Sequence, residues 1–255
     1  MIEIHNTSEI ERARAAGRLA AQILEELGKT VTVGVSTGAL NDYGLALATA
    51  AGATMAPYRY KANPQDPPFP KHLCTSINQV VCHGIPKDDE YLKNGDIINI
   101  DITVILNGFH GDTSRTFIVG NAKPYAINLV KATEQAMYAG IAAMQPGNCI
   151  SEVGRAIEKN IQSHGYGIVE DLTGHGVGKK FHQEPTVFHF YNPRYRLKLK
   201  SGMILTCEPM INQGTKAVQL LDDGWTIVTK DNKLSAQFEH TLLITESGNE
   251  ILTKL

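Results

Sequence analysis

Two aspartates, Asp101 and Asp112, flank an Asn107-Gly108 dipeptide, the strongest short hairpin signal in the chain. A two-residue turn there pairs Thr103 with Asp112 and Asp101 with Ser114. Side chains alternate along strands, so Asp101, Thr103, Asp112 and Ser114 share one face. The two aspartates become diagonal neighbours, about 7–8 Å apart at the backbone. Carboxylates placed so close inside apolar strands repel unless a positive charge sits between them, and a divalent cation is the usual one. Either Asp taken alone has a plain alternative as a solvated strand residue. That alternative is weaker for Asp101, which is flanked by Ile98, Ile100, Ile102 and Val104.

The second part of the chain carries matching donors. Gly174-His175-Gly176-Val177-Gly178 presents an imidazole among residues small enough for close backbone approach. Glu208 lies in the apolar run Ile204 to Met210, and Glu239 in Ala236 to Leu242. Each alone is more often structural than a ligand. Together, four carboxylates and one neutral imidazole suit two divalent ions, with four negative charges against two dications. A shared carboxylate pair would hold such ions about 3.5–4 Å apart, as in two-metal hydrolases.

The elements that must position these groups follow from periodicity and punctuation. Ser8 and Glu11 form a capping box ahead of a helix over about 8–28, with Ala13, Ala16, Gly17, Ala20, Ile23, Leu24 and Leu27 on one face. A second helix fits 37–52, capped by Ser36 or Thr37. Five prolines between Pro57 and Pro70 make that stretch a loop. Strands are expected at 77–82, 97–104 and 109–119, and helices at 124–144 and 150–164. Strands follow at 203–212, 217–219, 225–230, 236–246 and 249–253. Helix, helix, strands, then helix, helix, strands suggests two similar halves, near 1–120 and 121–255, within a single domain over 1–255.

Composition narrows the classes. The chain has 255 residues, a net charge of −2, 42% hydrophobic and 20% charged residues, which is globular and wide enough for a full core. Near-neutral charge argues against bulk nucleic-acid binding. No apolar run reaches the roughly 20 residues of a membrane span. Met1 to Glu11 lacks the apolar core of a secretory leader. Four cysteines with no CxxC pair suit reduced thiols, and a cytoplasmic location is expected.

Six ordered blocks extend the reading. They are Cys82-His83-Gly84-Ile85-Pro86, Asn99-Ile100-Asp101-Ile102-Thr103, His110-Gly111-Asp112-Thr113-Ser114, Gly174-His175-Gly176-Val177-Gly178, Glu208-Pro209-Met210 and Phe238-Glu239-His240-Thr241. In kind, order and interval the chain resembles the type I methionine aminopeptidases from about residue 3 to residue 254. The resemblance implies an α/β (α+β) pita-bread fold, two pseudo-symmetric halves with antiparallel sheet covered by helices. It implies two divalent metal ions (Co, Mn, Fe or Zn) with a water or hydroxide between them. Asp112 and Glu239 would bridge the pair, Asp101 would hold one ion, and His175 with Glu208 the other. Glu208 would also shuttle protons, His83 would touch substrate near the scissile amide, and His182 would stabilise the oxyanion. Cys74, Phe181 and Trp225, joined by Phe69, would line the pocket for a methionine side chain. Substrates would be the N-termini of nascent polypeptides with a small second residue, met by a monomer in transient contact with the ribosome, with no membrane or nucleic-acid partner.

The chain departs from the family pattern in places. Gln183 replaces a usual Glu, Cys207 precedes the Glu208 ligand, Leu172-Thr173 is atypical, and the Pro57–Pro70 segment is longer and richer in proline. A thiol beside a ligand would bear on oxidation and metal choice. The rival readings are few. Gly34-Val35-Ser36-Thr37-Gly38 matches a nucleophile elbow, which would make a serine hydrolase, though Ser36 also suits a helix cap. A non-catalytic binding module on the same fold would have lost a ligand, and none is lost. A proline-specific peptidase of this fold would carry a large extra domain.

Overall fold

In the computed structural model, residues 2–255 are described. The first helix, α1 (Thr7–Thr30), begins two residues earlier than the spacing of Ser8 and Glu11 suggests. Its capping box is Asn6 and Glu9: the Asn6 side chain accepts the Glu9 N–H, and the Glu9 carboxylate accepts the Asn6 N–H, both at 3.1 Å. The same x-x spacing occurs at both places, and the asparagine is preferred because it stands where the chain enters from extended backbone. The helix buries Ala13, Ala16, Gly17, Ala20, Ile23, Leu24 and Leu27, the face that the periodicity marks.

The α2 helix (Thr37–Ala50) is capped by Ser36, whose hydroxyl oxygen accepts the Ala39 N–H at 3.1 Å. In the second half, α3 (Pro124–Ala143) starts on a proline, which suits a position with no intrahelical N–H partner. The α4 helix (Ser151–Ile161) is shorter than the 150–164 expectation and ends in a single 3-10 turn, Gln162–His164, closed by Gly165 at φ +68°.

The hairpin of the first half is as the alternation argument places it. Strands Ile97–Leu106 and Phe109–Ile118 pair antiparallel, with Thr103 opposite Asp112 and Asp101 opposite Ser114. Asn107 and Gly108 both take positive φ, +52° and +76°, as the tight turn requires. Strands Cys74–Ile77 and Thr54–Met55 flank Ile97–Leu106 and complete a four-stranded sheet. The expected strand over 77–82 is instead two, Cys74–Ile77 and Val80–Cys82. Asn78 breaks it: the residue sits at φ +54°, and its side-chain oxygen accepts the Ile97 N–H at 3.1 Å.

The second half has a five-stranded antiparallel sheet in the order Asn249–Ile251, His240–Ile244, Ile204–Cys207, Gly174–Gly176, Gln183–Val187. A three-stranded sheet of Ser235–Gln237, Met210–Asn212 and Gly167–Ile168 lies beside it. The continuous strands expected at 203–212 and 236–246 each divide, at Glu208-Pro209 and at Phe238-Glu239. At both breaks the chain leaves one sheet for the other. Pro209 has no N–H to continue a ladder, and Glu239 turns aside to exchange two backbone hydrogen bonds with Ser114 of the first half.

Among the buried apolar clusters, two are large. One packs Ala20, Leu27 and Leu40 of the first helix pair on Ile98, Ile100 and Ile102. The other packs Leu129, Met137 and Ile157 on Leu205, Ile211 and Leu242. Where α1 crosses strand Phe109–Ile118, the approach is close enough that a Cβ on Gly111 would fall inside the Ala16–Gly17 backbone. Gly111→Ala is expected to cost about 3 kcal/mol, because backbone cannot yield as a side chain can. Chemical denaturation measures this, and a change below about 0.5 kcal/mol would contradict it.

Candidate active site

One cavity of about 290 Å³ lies between the two halves. Its lining contains all eleven residues singled out from the sequence: Asp101, Asp112, His175, Glu208, Glu239, His83, His182, Cys74, Phe69, Phe181 and Trp225. Asp101 and Asp112 come from the hairpin face, and His175 from strand Gly174–Gly176. Glu208 and Glu239 come from the two sheet junctions, so irregular backbone turns both carboxylates toward the hairpin.

The donor atoms converge. Asp112, His175 and Glu239 each offer a ligand atom within 4.8 Å of the others. His175 Nε2 lies 3.6 Å from Asp112 Oδ2 and 3.4 Å from Glu208 Oε1. Neighbouring groups aim these atoms: Thr103 Oγ1 donates to Asp112 Oδ1 at 2.7 Å, Thr206 Oγ1 to Glu208 Oε1 at 2.6 Å, and Gln237 Nε2 to Glu208 Oε2 at 3.4 Å. The Nδ1 atom of His175 is 3.0 Å from the Gly176 carbonyl, a contact that makes Nδ1 the protonated nitrogen and leaves the Nε2 lone pair facing the carboxylates.

Electrostatics show what the group lacks. Burial pushes Asp101 up to about 7. Burial first, then mutual repulsion, holds Asp112 and Glu239 well above the ordinary carboxylate range. Glu208 is raised by burial and by the two aspartates, against the pull of Thr206. Burial lowers His175 and His83 to about 4, so both rings are neutral. No lysine or arginine forms an ion pair with any of the four carboxylates among the described residues. Four desolvated acids beside a neutral imidazole, with no cationic side chain, form a donor set that fits divalent cations.

A stability signature follows. A carboxylate whose pKa is higher folded than unfolded makes the folded chain bind more protons, so its contribution is lost as pH rises. The neutral histidines act in the opposite sense, but chiefly below about pH 6.5, at which unfolded imidazole is half charged. The melting temperature of metal-stripped protein is therefore expected to fall between about pH 6.5 and about pH 8, and a divalent cation to remove that fall. A flat profile without metal would contradict the assignment.

The other wall is apolar. Phe69, Cys74 and Trp225 form a small buried cluster against Tyr60 and Ile85. Trp225 Nε1 donates to the Pro67 carbonyl at 2.9 Å, which ties the proline-rich segment to this wall. Phe181 stacks on His182 at 4.1 Å between centroids, and His182 lies 4.2 Å from His175. Pro57, Tyr60 and Ala62 of the proline-rich segment also line the cavity. Sequence reasoning singled out none of the three, because a loop has no periodicity to mark its inward side chains. The expected influence of Cys207 is corrected. Strand alternation turns its thiol away from the cavity, fully buried against Met137 and Gly140 of α3. Gln183 donates to Glu3 at 3.2 Å and anchors the N-terminal segment. Glu3, His5 and Glu9 form a second group of ligating types, in which Lys179 already bridges both carboxylates. Ser36 serves as a helix cap and does not line the cavity.

Comparison with known proteins agrees with this geometry. Residues 11–246 match metallopeptidase family M24. The chain is 48% identical over 252 residues to methionine aminopeptidase A of Synechocystis, covering 99% of this chain and 97% of that protein. It is 45% identical over 256 residues to the methionine aminopeptidase of Escherichia coli, covering 99% and 94%. The crystal structure of methionine aminopeptidase from Rickettsia prowazekii superimposes with a TM-score of 0.95 at 45% identity over the whole of both chains. A prolidase from Pyrococcus furiosus shares the fold at a TM-score of 0.77 and 22% identity, and this chain spans 65% of its length. No helix of the described residues is long and apolar enough to cross a membrane. With its pita-bread α/β fold and its buried cluster of carboxylates, the chain belongs to metallopeptidase family M24, among the methionine aminopeptidases.

Proposed function

We propose that this chain hydrolyses the N-terminal methionine from nascent proteins and peptides with a small second residue, as a single catalytic unit that uses two divalent metal ions. The observation that carries this reading is one cavity holding both a desolvated, uncompensated acidic cluster and a buried apolar wall. Asp101, Asp112, His175, Glu208 and Glu239 are the residues that would hold the metals, with Asp112 and Glu239 shared. Bound there, divalent metal supplies Lewis acidity, a water nucleophile at neutral pH and an anchor for the substrate's α-amine.

The protein groups divide the remaining work. Glu208 is a buried carboxylate with a raised pKa, suited to taking the attacking water's proton and passing it to the leaving amine. His182, whose pKa is lowered chiefly by desolvation, donates a hydrogen bond to the carbonyl oxygen as charge develops there. His83 sits at φ +54° with its ring nearly perpendicular to that of Trp225, and it contacts substrate beside the scissile amide. Cys74, Phe69, Phe181 and Trp225 receive the flexible thioether side chain in an apolar, polarisable slot. A cytoplasmic site of action and transient contact with the ribosome follow from where such substrates are made.

Release of free methionine from a Met-Ala-Ser peptide by metal-stripped protein, with and without added Mn, Fe, Co or Zn, tests this reading. Metal-dependent release is expected. A folded protein that binds two ions and releases nothing would sink the substrate assignment, and a protein that binds no metal would sink the reading altogether. In that case a binding module on this fold would take its place.

A further inference from the structure

Tyr60 belongs to the proline-rich segment, outside every motif that points to the site. Its hydroxyl nevertheless lies 2.7 Å from His182 Nδ1. The residue is held firmly. Its N–H donates to the Pro57 carbonyl and its carbonyl accepts the Phe69 N–H, both at 2.9 Å, while the Arg59 N–H donates to the Phe69 carbonyl at 2.8 Å. Phe69 is itself buried, and the Trp225 bond to Pro67 fastens the far end of the segment. The Tyr60 ring packs on Phe181 and His182, at 4.9 and 5.1 Å between centroids. A side chain placed this rigidly on a loop can orient a neighbour as well as a residue on a strand.

In its neutral form the His182 imidazole carries one proton, on either Nδ1 or Nε2. The choice decides its chemistry. With Nε2–H, the side of the ring away from Tyr60 is a hydrogen-bond donor; with Nδ1–H, that side is a lone pair, which would repel a developing oxyanion. The phenol hydrogen of Tyr60 has no other acceptor among the described residues. Only the Nε2–H form gives it one. We propose that Tyr60 is a positioning residue: its hydroxyl donates to His182 Nδ1 and locks the Nε2–H tautomer, so that His182 presents a donor to the substrate's carbonyl oxygen. This inference rests on the reading of His182 as the oxyanion donor. A donor matters most where charge builds in the transition state, so losing the tautomer lowers kcat and leaves KM nearly unchanged.

The test uses the full chain loaded with zinc, which is diamagnetic, and long-range nitrogen–proton NMR of its histidines. Signals of His182 are assigned by their loss in His182→Asn. In the parent enzyme Nε2 is expected to be protonated and Nδ1 to be the bare acceptor. In Tyr60→Phe, which keeps the ring and the pocket wall, the two tautomers are expected to mix. For a Met-Ala-Ser peptide, kcat falls on the order of tenfold, with KM changed by less than about twofold. A protonated Nδ1 in the parent enzyme overturns the proposal, as does an unchanged tautomer or an unchanged kcat in Tyr60→Phe. Undiminished kcat in His182→Ala would sink the underlying reading of His182 instead. The nitrogen spectrum of the parent enzyme, which needs no turnover, separates that failure from this one.

Discussion

Asp112→Asn is expected to lower kcat/KM for methionine release by at least about a thousandfold, equivalent to about 4 kcal/mol of transition-state stabilisation. Asp112 is the centre of the acidic group. One oxygen is taken by Thr103 at 2.7 Å, and the other faces His175 Nε2 at 3.6 Å, with Glu239 in the same cluster. Asparagine keeps the shape and can still accept from Thr103, but it removes the negative charge that a shared cation needs. The variant is not expected to unfold. Burial and the nearby Asp101 already disfavour the ionised Asp112 in the metal-free fold, so a neutral side chain there relieves repulsion. Metal-stripped Asp112→Asn should therefore melt no lower than the metal-stripped parent near neutral pH. Lost activity, lost metal content and an undiminished melting temperature form the expected set. Full activity with normal metal content would refute the assignment of Asp112 as a shared ligand.

His182→Ala is expected to lower kcat by about a hundredfold to a thousandfold, the range for removing one oxyanion donor, with KM little altered. His182 packs between Phe181 and His175 on the cavity wall but makes no ion pair with the carboxylates. Metal content measured by elemental analysis should stay at the parent level, unlike in Asp112→Asn. That difference tells the two roles apart. A raised KM with kcat intact would recast His182 as a group that only binds substrate.

The hairpin was legible because its rules are local. Alternation and an Asn-Gly turn are enough to put Thr103 opposite Asp112 and both aspartates on one face. The α1 face was legible for the same reason, although the start of the helix was not: two capping boxes compete within six residues, and the Asn6 pair wins. Strand continuity failed at Asn78, at Glu208-Pro209 and at Phe238-Glu239. Apolar runs look continuous in sequence, whereas hydrogen-bond partners change from one sheet to another in space. Six of the eleven candidate site residues, His83, Asp101, Asp112, His175, Glu208 and Glu239, lie in the ordered motifs; the other five were named through the family resemblance, and all eleven line one cavity. Tyr60 was not named, since its role depends on a loop conformation held by Phe69 and Trp225 and on no repeat of residue type.

By itself the sequence determined the helices, the central hairpin with its register, and the kinds of ligand available. These depend on residues a few positions apart, where backbone geometry admits few alternatives. Tertiary structure decided how Glu208 and Glu239 come to meet the two aspartates. Glu239 reaches the hairpin through its backbone exchange with Ser114, and Glu208 from the break between strands Ile204–Cys207 and Met210–Asn212. It also decided that Cys207 faces the core and that Tyr60 faces His182. Contacts between residues more than a hundred positions apart arise only when both cores close, because burying the two apolar layers is what forces the acidic faces of the halves together.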